Sequence, residues 1–155
     1  MYNKVISLFE QRGVFMEDII ECVYYLQKRY IPDLTKDQIQ HYIDSVLNKR
    51  EVQHAIVTGI MMDIMVEESR LGDEEIQKLI MEDYGLYGVD EVLAYGICNL
   101  YGSIALTNFG YIDKVKPGII GKLNEHNGQC HTFLDDIVGA VAAAAASKLA
   151  HDRER

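Results

Sequence analysis

Proline, the residue most disruptive to a helix interior, occurs only twice in this chain, at Pro32 and Pro117. With so few breakers, long helices can continue without interruption. Apolar residues also recur every three or four positions almost throughout, which is the spacing of one helix face. A chain of 155 residues, 48% of them hydrophobic, can bury a real core. The sequence therefore predicts an all-α fold, a single domain over residues 1–155 with about seven to eight helices around a central apolar helix.

Two segments are apolar enough to be candidates for the centre of the bundle. These are the predicted fourth helix, over about 51–70, and the predicted sixth helix, over about 90–106. Gly96 and Gly102 each weaken the sixth helix by roughly 1 kcal/mol, which predicts close packing against a neighbour. Residue Asp90 lies at the polar start of that helix.

The C-terminal third is predicted to contain a loop and two further helices. The loop covers about 108–116, and Pro117 then opens a short seventh helix. The last helix begins near residue 132 and carries an alanine run at 142–146, which favours helix formation and close helix approach. The tail 151–155 is predicted to be frayed.

Charge and composition exclude several classes of protein. The net charge of -9 repels phosphate backbones, which argues against nucleic-acid binding and against broad docking on anionic lipid. The three cysteines Cys22, Cys98 and Cys130 are scattered, as expected of reduced thiols in the cytosol. The longest apolar run, 137–146, is shorter than the ~20 residues of a membrane span. With no signal peptide evident, we predict a cytoplasmic protein without a transmembrane segment.

Three acidic segments differ from the ordinary polar faces. The pairs Asp90-Glu91 and Asp135-Asp136 each precede a long apolar stretch, and Asp113 lies between them. Adjacent helical residues point about 100° apart, so one acid of a pair can cap the helix while the other faces inward. Acids that enter an apolar bundle are costly unless a cation compensates them. We therefore predict a site for Mg²⁺, with Mn²⁺ as the alternative cation.

Each acidic pair also has a simpler interpretation. Asp90 could be an N-cap, and Thr132 with Asp135 resembles a capping box. The two lysines between the pairs, Lys114 and Lys116, could hold phosphate oxygens or be ordinary solvent-exposed lysines. The residues alone leave these alternatives open.

The same segments resemble the phosphatidylglycerophosphatase A family. The pair Asp90-Glu91, the segment 109–117 and the segment 128–138 occur in the family's order and with similar spacing. The resemblance covers roughly 84–151. The whole chain is similar to the soluble branch of the family, which includes the low-temperature-requirement C-like proteins of Gram-positive bacteria. In contrast to membrane-bound members, this chain has Gly110 where they have an arginine, and it lacks their spanning helices and N-terminal glycine-rich stretch.

The resemblance implies Mg²⁺-dependent removal of the terminal phosphate from phosphatidylglycerophosphate. It implies five acidic site residues, of which the last three are also predicted to be catalytic: Asp90, Glu91, Asp113, Asp135 and Asp136. Lys116 is expected to bind phosphate, with Lys114 as a second candidate. Either water activated by a carboxylate or an aspartate itself would attack phosphorus, and the sequence does not choose between them.

We accordingly predict a phosphatase that acts on a lipid head group or a related soluble phosphate. Two alternatives remain: a helical Mg²⁺-dependent nucleotide pyrophosphatase, and a non-enzymatic regulatory or interaction protein on the same scaffold. The alanine-rich last helix favours a homo-oligomer, and peripheral contact with a membrane is compatible with the sequence.

Overall fold

A computed structural model of the protein describes residues 1–153. It confirms the all-α prediction, because these residues form nine helices and no strand. Their bounds are α1 Tyr2–Gln11, α2 Met16–Gln27, α3 Lys36–Leu47, α4 Arg50–Glu67, α5 Glu74–Met81, α6 Val89–Asn99, α7 Ser103–Val115, α8 Ile119–Asn124 and α9 Leu134–Arg153.

The centre of the bundle is α9, as the prediction of a central apolar helix requires. Every residue from Leu134 to Ser147 is buried, and α9 packs against α2, α3, α4, α6, α7 and α8. The choice of the fourth and sixth helices as the core was wrong. Alanine is only weakly hydrophobic, so the run at 142–146 makes α9 look less apolar than the predicted fourth and sixth helices. The small alanine side chains nevertheless let several helices pack closely against α9. The apolar surface of α9 is buried by other helices of the same chain, so it does not argue for a homo-oligomer.

A break at Gly102 divides the predicted sixth helix into α6 and α7. Gly102 has φ +88 and ψ -170, a conformation that a helix interior does not contain and that glycine adopts without steric cost. The hydroxyl of Ser147 on α9 donates to the carbonyl of Tyr101 at 3.0 Å, which fixes the break against the core. The predicted loop over 108–116 was also wrong, since α7 continues as helix to Val115.

Close helix packing occurs at a different glycine from those predicted. A Cβ added to Gly96 meets nothing within 4 Å, because this residue is exposed. At Gly59 on α4 an added Cβ would overlap the Cδ1 atom of Ile137 and lie 3.0 Å from the Cδ2 atom of Leu93. Gly59 therefore lets α4 approach both α6 and α9.

The last helix is longer than predicted. It continues through His151 to Arg153, so the tail is not frayed over these residues. The rest of the predicted tail, 154–155, lies outside the described residues. Within residues 1–153, no helix combines the length and the apolar composition needed to cross a membrane.

Candidate acidic site

Four of the predicted acids come together where three helices meet. Asp135 and Asp136 lie in the first turn of α9 and are only 4% and 5% exposed. Asp90 in the first turn of α6 is also buried, and Asp113 on α7 is half-buried. The carboxyl group of Asp136 is close enough to those of Asp90 and Asp113 to share a hydrogen bond with either when one partner is protonated. We call these four residues the acid cluster.

Helix capping accounts for only part of the acidic pairs. Oδ1 of Asp135 accepts a hydrogen bond from the Asp136 amide at 2.9 Å, but no acid of either pair is the N-cap residue of its helix. The N-cap of α6 is Gly88, so Asp90 lies inside the helix. The hydroxyl of Thr132 donates to the carbonyl of Ile80 at 2.6 Å, and the Asp135 amide donates to the carbonyl of His131. Thr132 and Asp135 therefore do not form a capping box.

Lys116 brings a positive charge to the cluster. Its Nζ atom lies 2.9 Å from Oδ1 of Asp113 and 3.4 Å from Oδ2 of Asp135. The residue ends α7 in a left-handed conformation, with φ +51. Gly121 permits this arrangement, because a Cβ there would lie 2.6 Å from the Lys116 carbonyl oxygen. This backbone conformation places the Lys116 side chain between α7 and α9.

The electrostatic environment opposes ionisation of the acid cluster. Burial raises the pKa of Asp136, and the charges of Asp135, Asp90 and Asp113 raise it further. Burial also raises the pKa values of Asp90 and Asp135, and for Asp135 it outweighs the opposing effect of Lys116. Burial by itself would lower the pKa of Lys116, but the hydrogen bond to Asp113 and the surrounding carboxylates raise it. Within the part of the chain that the structure describes, four carboxylates thus face one ammonium group.

The other two predicted site residues lie at the edge. Glu91 is exposed on α6, although partial burial and the charges of Asp90 and Asp113 raise its pKa. Lys114 is exposed on α7 and makes no ion pair within residues 1–153. The structure therefore brings together Asp90, Asp113, Lys116 and the α9 pair, and leaves Glu91 and Lys114 outside them.

Asp63 is a buried acid that sequence reasoning missed. Its two carboxylate oxygens accept hydrogen bonds from the backbone amides of Phe133 and Leu134, both at 3.0 Å. A side chain of α4 thus caps α9 immediately before the acidic pair. Burial raises the pKa of Asp63 to about 7, against the effect of those two hydrogen bonds. The signal was available, because Asp63 is an isolated acid within an otherwise apolar stretch of α4.

Asp83 is a second acid that was missed. The amide of His131 donates to Nδ1 of His126 at 3.2 Å, so the proton of that ring lies on Nε2 and points to Oδ2 of Asp83, 3.1 Å away. In addition to burial, the charge of Asp83 raises the pKa values of Asp90 and Asp135. Asp83 thus lies beside the acid cluster, and nothing in its local sequence distinguished it.

The loop before α9 is held to two other helices. Arg12 of α1 forms an ion pair with Glu67 of α4, with Nη1 and Oε2 3.0 Å apart. The same guanidinium donates to the carbonyl of Cys130 at 2.8 Å, and the amide of Cys130 donates to Glu67 at 2.6 Å. These bonds fix the segment that leads into the acidic first turn of α9.

The donor set of the cluster fits a hard divalent cation. Carboxylate oxygens are the ligands that Mg²⁺ accepts, and a cation would offset the charge that burial penalises. Within residues 1–153, no three His, Cys, Asp or Glu side chains are already arranged to hold a metal ion. The Lys116 ammonium stands between Asp113 and Asp135. Coordination would therefore require side-chain rotation within the cluster.

Comparison with known proteins agrees with this arrangement of motifs. The family model described as phosphatidylglycerophosphatase A matches residues 5–151, which is nearly the whole chain. The chain belongs to the phosphatidylglycerophosphatase A family. The match extends well beyond the predicted 84–151 and includes α4, which contributes Asp63.

Family members from Gram-positive bacteria are similar over nearly their full length. The protein YutG of Bacillus subtilis, described as uncharacterized, is 55% identical over 152 residues, covering 97% of this chain and 91% of YutG. The crystal structure of the low temperature requirement C protein from Listeria monocytogenes is 55% identical and superposes with a TM-score of 0.96, covering 99% of this chain and 97% of that one. A Bacillus stearothermophilus protein of unknown function superposes with a TM-score of 0.95 at 55% identity, covering 98% of this chain and 94% of that one.

Proposed function

We propose that this protein is a Mg²⁺-dependent phosphomonoester hydrolase of the phosphatidylglycerophosphatase type. The observation that carries the proposal is the burial of Asp135 and Asp136 beside Asp90 and Asp113, with Lys116 as the one cationic partner found among the described residues. A purely structural role would favour apolar residues here, because a buried, mutually repelling set of carboxylates destabilises the fold. Membership of the phosphatidylglycerophosphatase A family supports the same reaction class.

The cluster supplies groups for both the cation and the phosphate. Asp90, Asp113, Asp135 and Asp136 would hold Mg²⁺, with Glu91 at the rim. Bound Mg²⁺, or Mn²⁺ in its place, would neutralise charge on the phosphate oxygens. Lys116 would bind a phosphate oxygen directly once the ion pairs with Asp113 and Asp135 are exchanged for substrate. The exposed Lys114 is a second, weaker candidate for this role.

Two routes are compatible with the cluster, and both use its acids. In the first, a carboxylate such as Asp113 accepts a proton from water, the water oxygen bonds to phosphorus, and the P–O ester bond breaks. In the second, Asp135 or Asp136 attacks phosphorus, and water later hydrolyses the acyl phosphate. In each case the leaving alkoxide takes up a proton from water at the cluster.

The substrate class is a phosphate monoester, on a lipid head group or on a related soluble molecule. Action on a lipid would require a cytoplasmic protein to meet a membrane surface, since no described helix can span one. We expect peripheral contact in that case.

A phosphate-release screen tests the proposal. The wild-type protein would be incubated with Mg²⁺ and a panel of soluble phosphomonoesters, phosphatidylglycerophosphate and nucleoside triphosphates. We expect Mg²⁺-dependent release of inorganic phosphate from monoesters, abolished by EDTA and in Asp136→Asn. Release of pyrophosphate from nucleotides would indicate the alternative pyrophosphatase activity. No turnover of any substrate, with Mg²⁺ or Mn²⁺, would favour a non-enzymatic protein and contradict the proposal.

A further inference from the structure

A groove between α2 and α7 has an unusual lining for so acidic a protein. It has a volume of about 400 Å³ and lies between the C-terminal end of α2 and the middle of α7. Lys28 and Arg29 line it, together with Tyr25, Tyr111 and Asn108. Among residues 1–153, no carboxylate lines it, although the chain contains 24 acidic residues. The groove is therefore a positively charged region on a protein of net charge -9.

Asn108 lines this groove with a side-chain amide that is not fully hydrogen-bonded among residues 1–153. Its Nδ2 atom is buried and has no hydrogen-bond partner within residues 1–153. A buried donor left unpaired costs roughly 1–3 kcal/mol, so such groups are uncommon unless something satisfies them. Asn108 also lines an adjoining groove of about 430 Å³, and the two grooves share Tyr30 as well. Asn108 therefore lies where both spaces meet, and its buried Nδ2 atom would reach a ligand there after a rotation of the side chain.

Two tyrosines and a lysine form one wall. The rings of Tyr25 and Tyr111 stack with their centroids 6.3 Å apart, and their hydroxyl oxygens are 3.4 Å from each other. The ammonium of Lys28 lies 5.5 Å from the centroid of the Tyr25 ring. Two phenolic hydroxyls, one of which donates to the other, are thus held beside one cation at the groove. Stacking and the cation–π contact give this wall a defined shape before any ligand binds.

We propose that this groove, lined by Lys28, Arg29, Tyr25, Tyr111 and Asn108, binds the phosphate group of an anionic ligand. A phosphate accepts several hydrogen bonds and pairs strongly with lysine and arginine. The volume exceeds that of phosphate alone, so the adjoining aromatic surface would contact the organic part of the ligand. The same chemistry is presented by a lipid head group and by a free phosphorylated metabolite.

The simpler interpretation explains only part of this arrangement. Lys28 and Arg29 follow the last turn of α2, where cations stabilise the helix dipole. That role requires neither the absence of acids along the groove nor the paired tyrosine hydroxyls. It also leaves the amide of Asn108 without a partner. A bound phosphate would account for the cations, the absence of acids and the paired hydroxyls together, and it would pair the Asn108 amide once that side chain rotates toward the groove.

The groove is separate from the acid cluster, although α7 contributes to both. Tyr111 lines the groove, and Asp113 faces the cluster two residues later. Glu21 and Tyr25 line a smaller cleft that reaches Pro117, next to Lys116. The inference does not rest on the proposed hydrolase activity, since binding here requires no cation and no turnover.

Binding measurements in EDTA test the groove without the acid cluster. The probes are glycerol 3-phosphate, followed by calorimetry, and phosphatidylcholine vesicles with and without phosphatidic acid, followed by co-sedimentation. We expect binding of at least one phosphate probe and no binding to phosphatidylcholine alone. Asn108→Asp, which places a negative charge where the free donor was, should weaken binding by about tenfold or more. Lys28→Gln, a change at an exposed residue, should weaken it in the same direction.

Matched variants separate this proposal from the others. Asn99→Asp adds the same charge at an exposed position of α6 and should leave binding unchanged. Asp136→Asn, which disables the proposed hydrolase, should also bind as wild type does. Binding to glycerol 3-phosphate identifies a soluble ligand class, and binding only to phosphatidic acid vesicles identifies a lipid. Failure of both probes to bind wild type, or equal binding by wild type, Asn108→Asp and Lys28→Gln, would overturn the proposal.

Discussion

Helices α6 and α9 begin with the same local pattern, an acidic pair followed by an apolar stretch, yet they have opposite places in the fold. In α9 both acids are buried, and the helix lies at the centre of the bundle. Of the two acids of α6, Asp90 is buried and Glu91 is exposed, and the apolar residues Val92 and Tyr95 are also exposed. The difference shows that the pattern predicts a helix with acids in its first turn. Packing of the neighbouring helices then determines how many of those acids are buried.

The first test concerns the lysine that α7 directs to the acids of α9. Lys116→Ala should lower kcat/KM for a phosphomonoester by about 10- to 100-fold, because a charge-assisted contact contributes roughly 1.5–3 kcal/mol. Steady-state kinetics would measure the change. Calorimetry on the same variant should show that Mg²⁺ binding is retained, because removing a cation does not weaken attraction between the carboxylates and Mg²⁺.

Lys114 is the matched control for this variant. It lies on the same helix but is exposed, so Lys114→Ala should change kcat/KM by no more than a few-fold. Equal effects of the two substitutions would indicate general attraction of phosphate to α7. No effect of Lys116→Ala would show that Lys116 does not hold the substrate.

The sequence predicted more of the site than of its surroundings. Local periodicity identified the helices, and the acids Asp90, Asp113, Asp135 and Asp136 were all named before the structure placed them together. The central position of α9 was missed because it depends on how many helices can approach an alanine-rich surface. Asp63 stands out locally as an isolated acid in an apolar stretch of α4, but its role could not be predicted, because the amides that it caps belong to α9, about 70 residues along the chain.

The second test compares glycines that face the core and the solvent. Gly59→Ala should lower the free energy of unfolding by about 1–3 kcal/mol, because its Cβ would be forced against Ile137 of α9 and Leu93 of α6. Gly96→Ala on the exposed face of α6 has open space and should stabilise the protein by up to about 1 kcal/mol. Urea unfolding of both variants would measure these changes. Destabilisation by Gly96→Ala as large as that by Gly59→Ala would contradict the described packing of α6.

The third test concerns the pH dependence of stability without Mg²⁺. Burial raises the pKa values of Asp136, Asp135 and Asp63, so the folded state holds protons that the unfolded state has already released. The contribution of these three acids to stability is therefore greatest at low pH and is lost as pH rises through their folded pKa values. The range from about pH 6.5 to 8 is informative, because His131, whose folded pKa is about 4, is neutral in the folded state throughout it. The titration of His131 in the unfolded state, centred near pH 6.5, opposes the expected fall by only about 0.4 kcal/mol.

Over that range, the free energy of unfolding should fall by about 1 kcal/mol or more in EDTA. Added Mg²⁺ should raise the melting temperature more at pH 8 than at pH 6.5, since it binds the ionised carboxylates. Thermal melts at the two pH values, with and without Mg²⁺, would measure both effects. A stability that rises from pH 6.5 to 8 in EDTA would contradict the account of the buried acids of α9.

Direct Mg²⁺ binding is the most decisive measurement for the acid cluster. Isothermal titration calorimetry at pH 8 would compare wild type with Asp136→Asn and Glu91→Gln, one variant from each helix start. The account predicts that Asp136→Asn abolishes measurable Mg²⁺ binding while remaining folded, because removing one of several like charges relieves repulsion. Glu91→Gln, at the exposed edge, should weaken binding by only a few-fold. Unchanged Mg²⁺ affinity in Asp136→Asn, or no Mg²⁺ binding by the wild-type protein, would contradict the central claim that the buried acids at the start of α9 form a divalent-cation site.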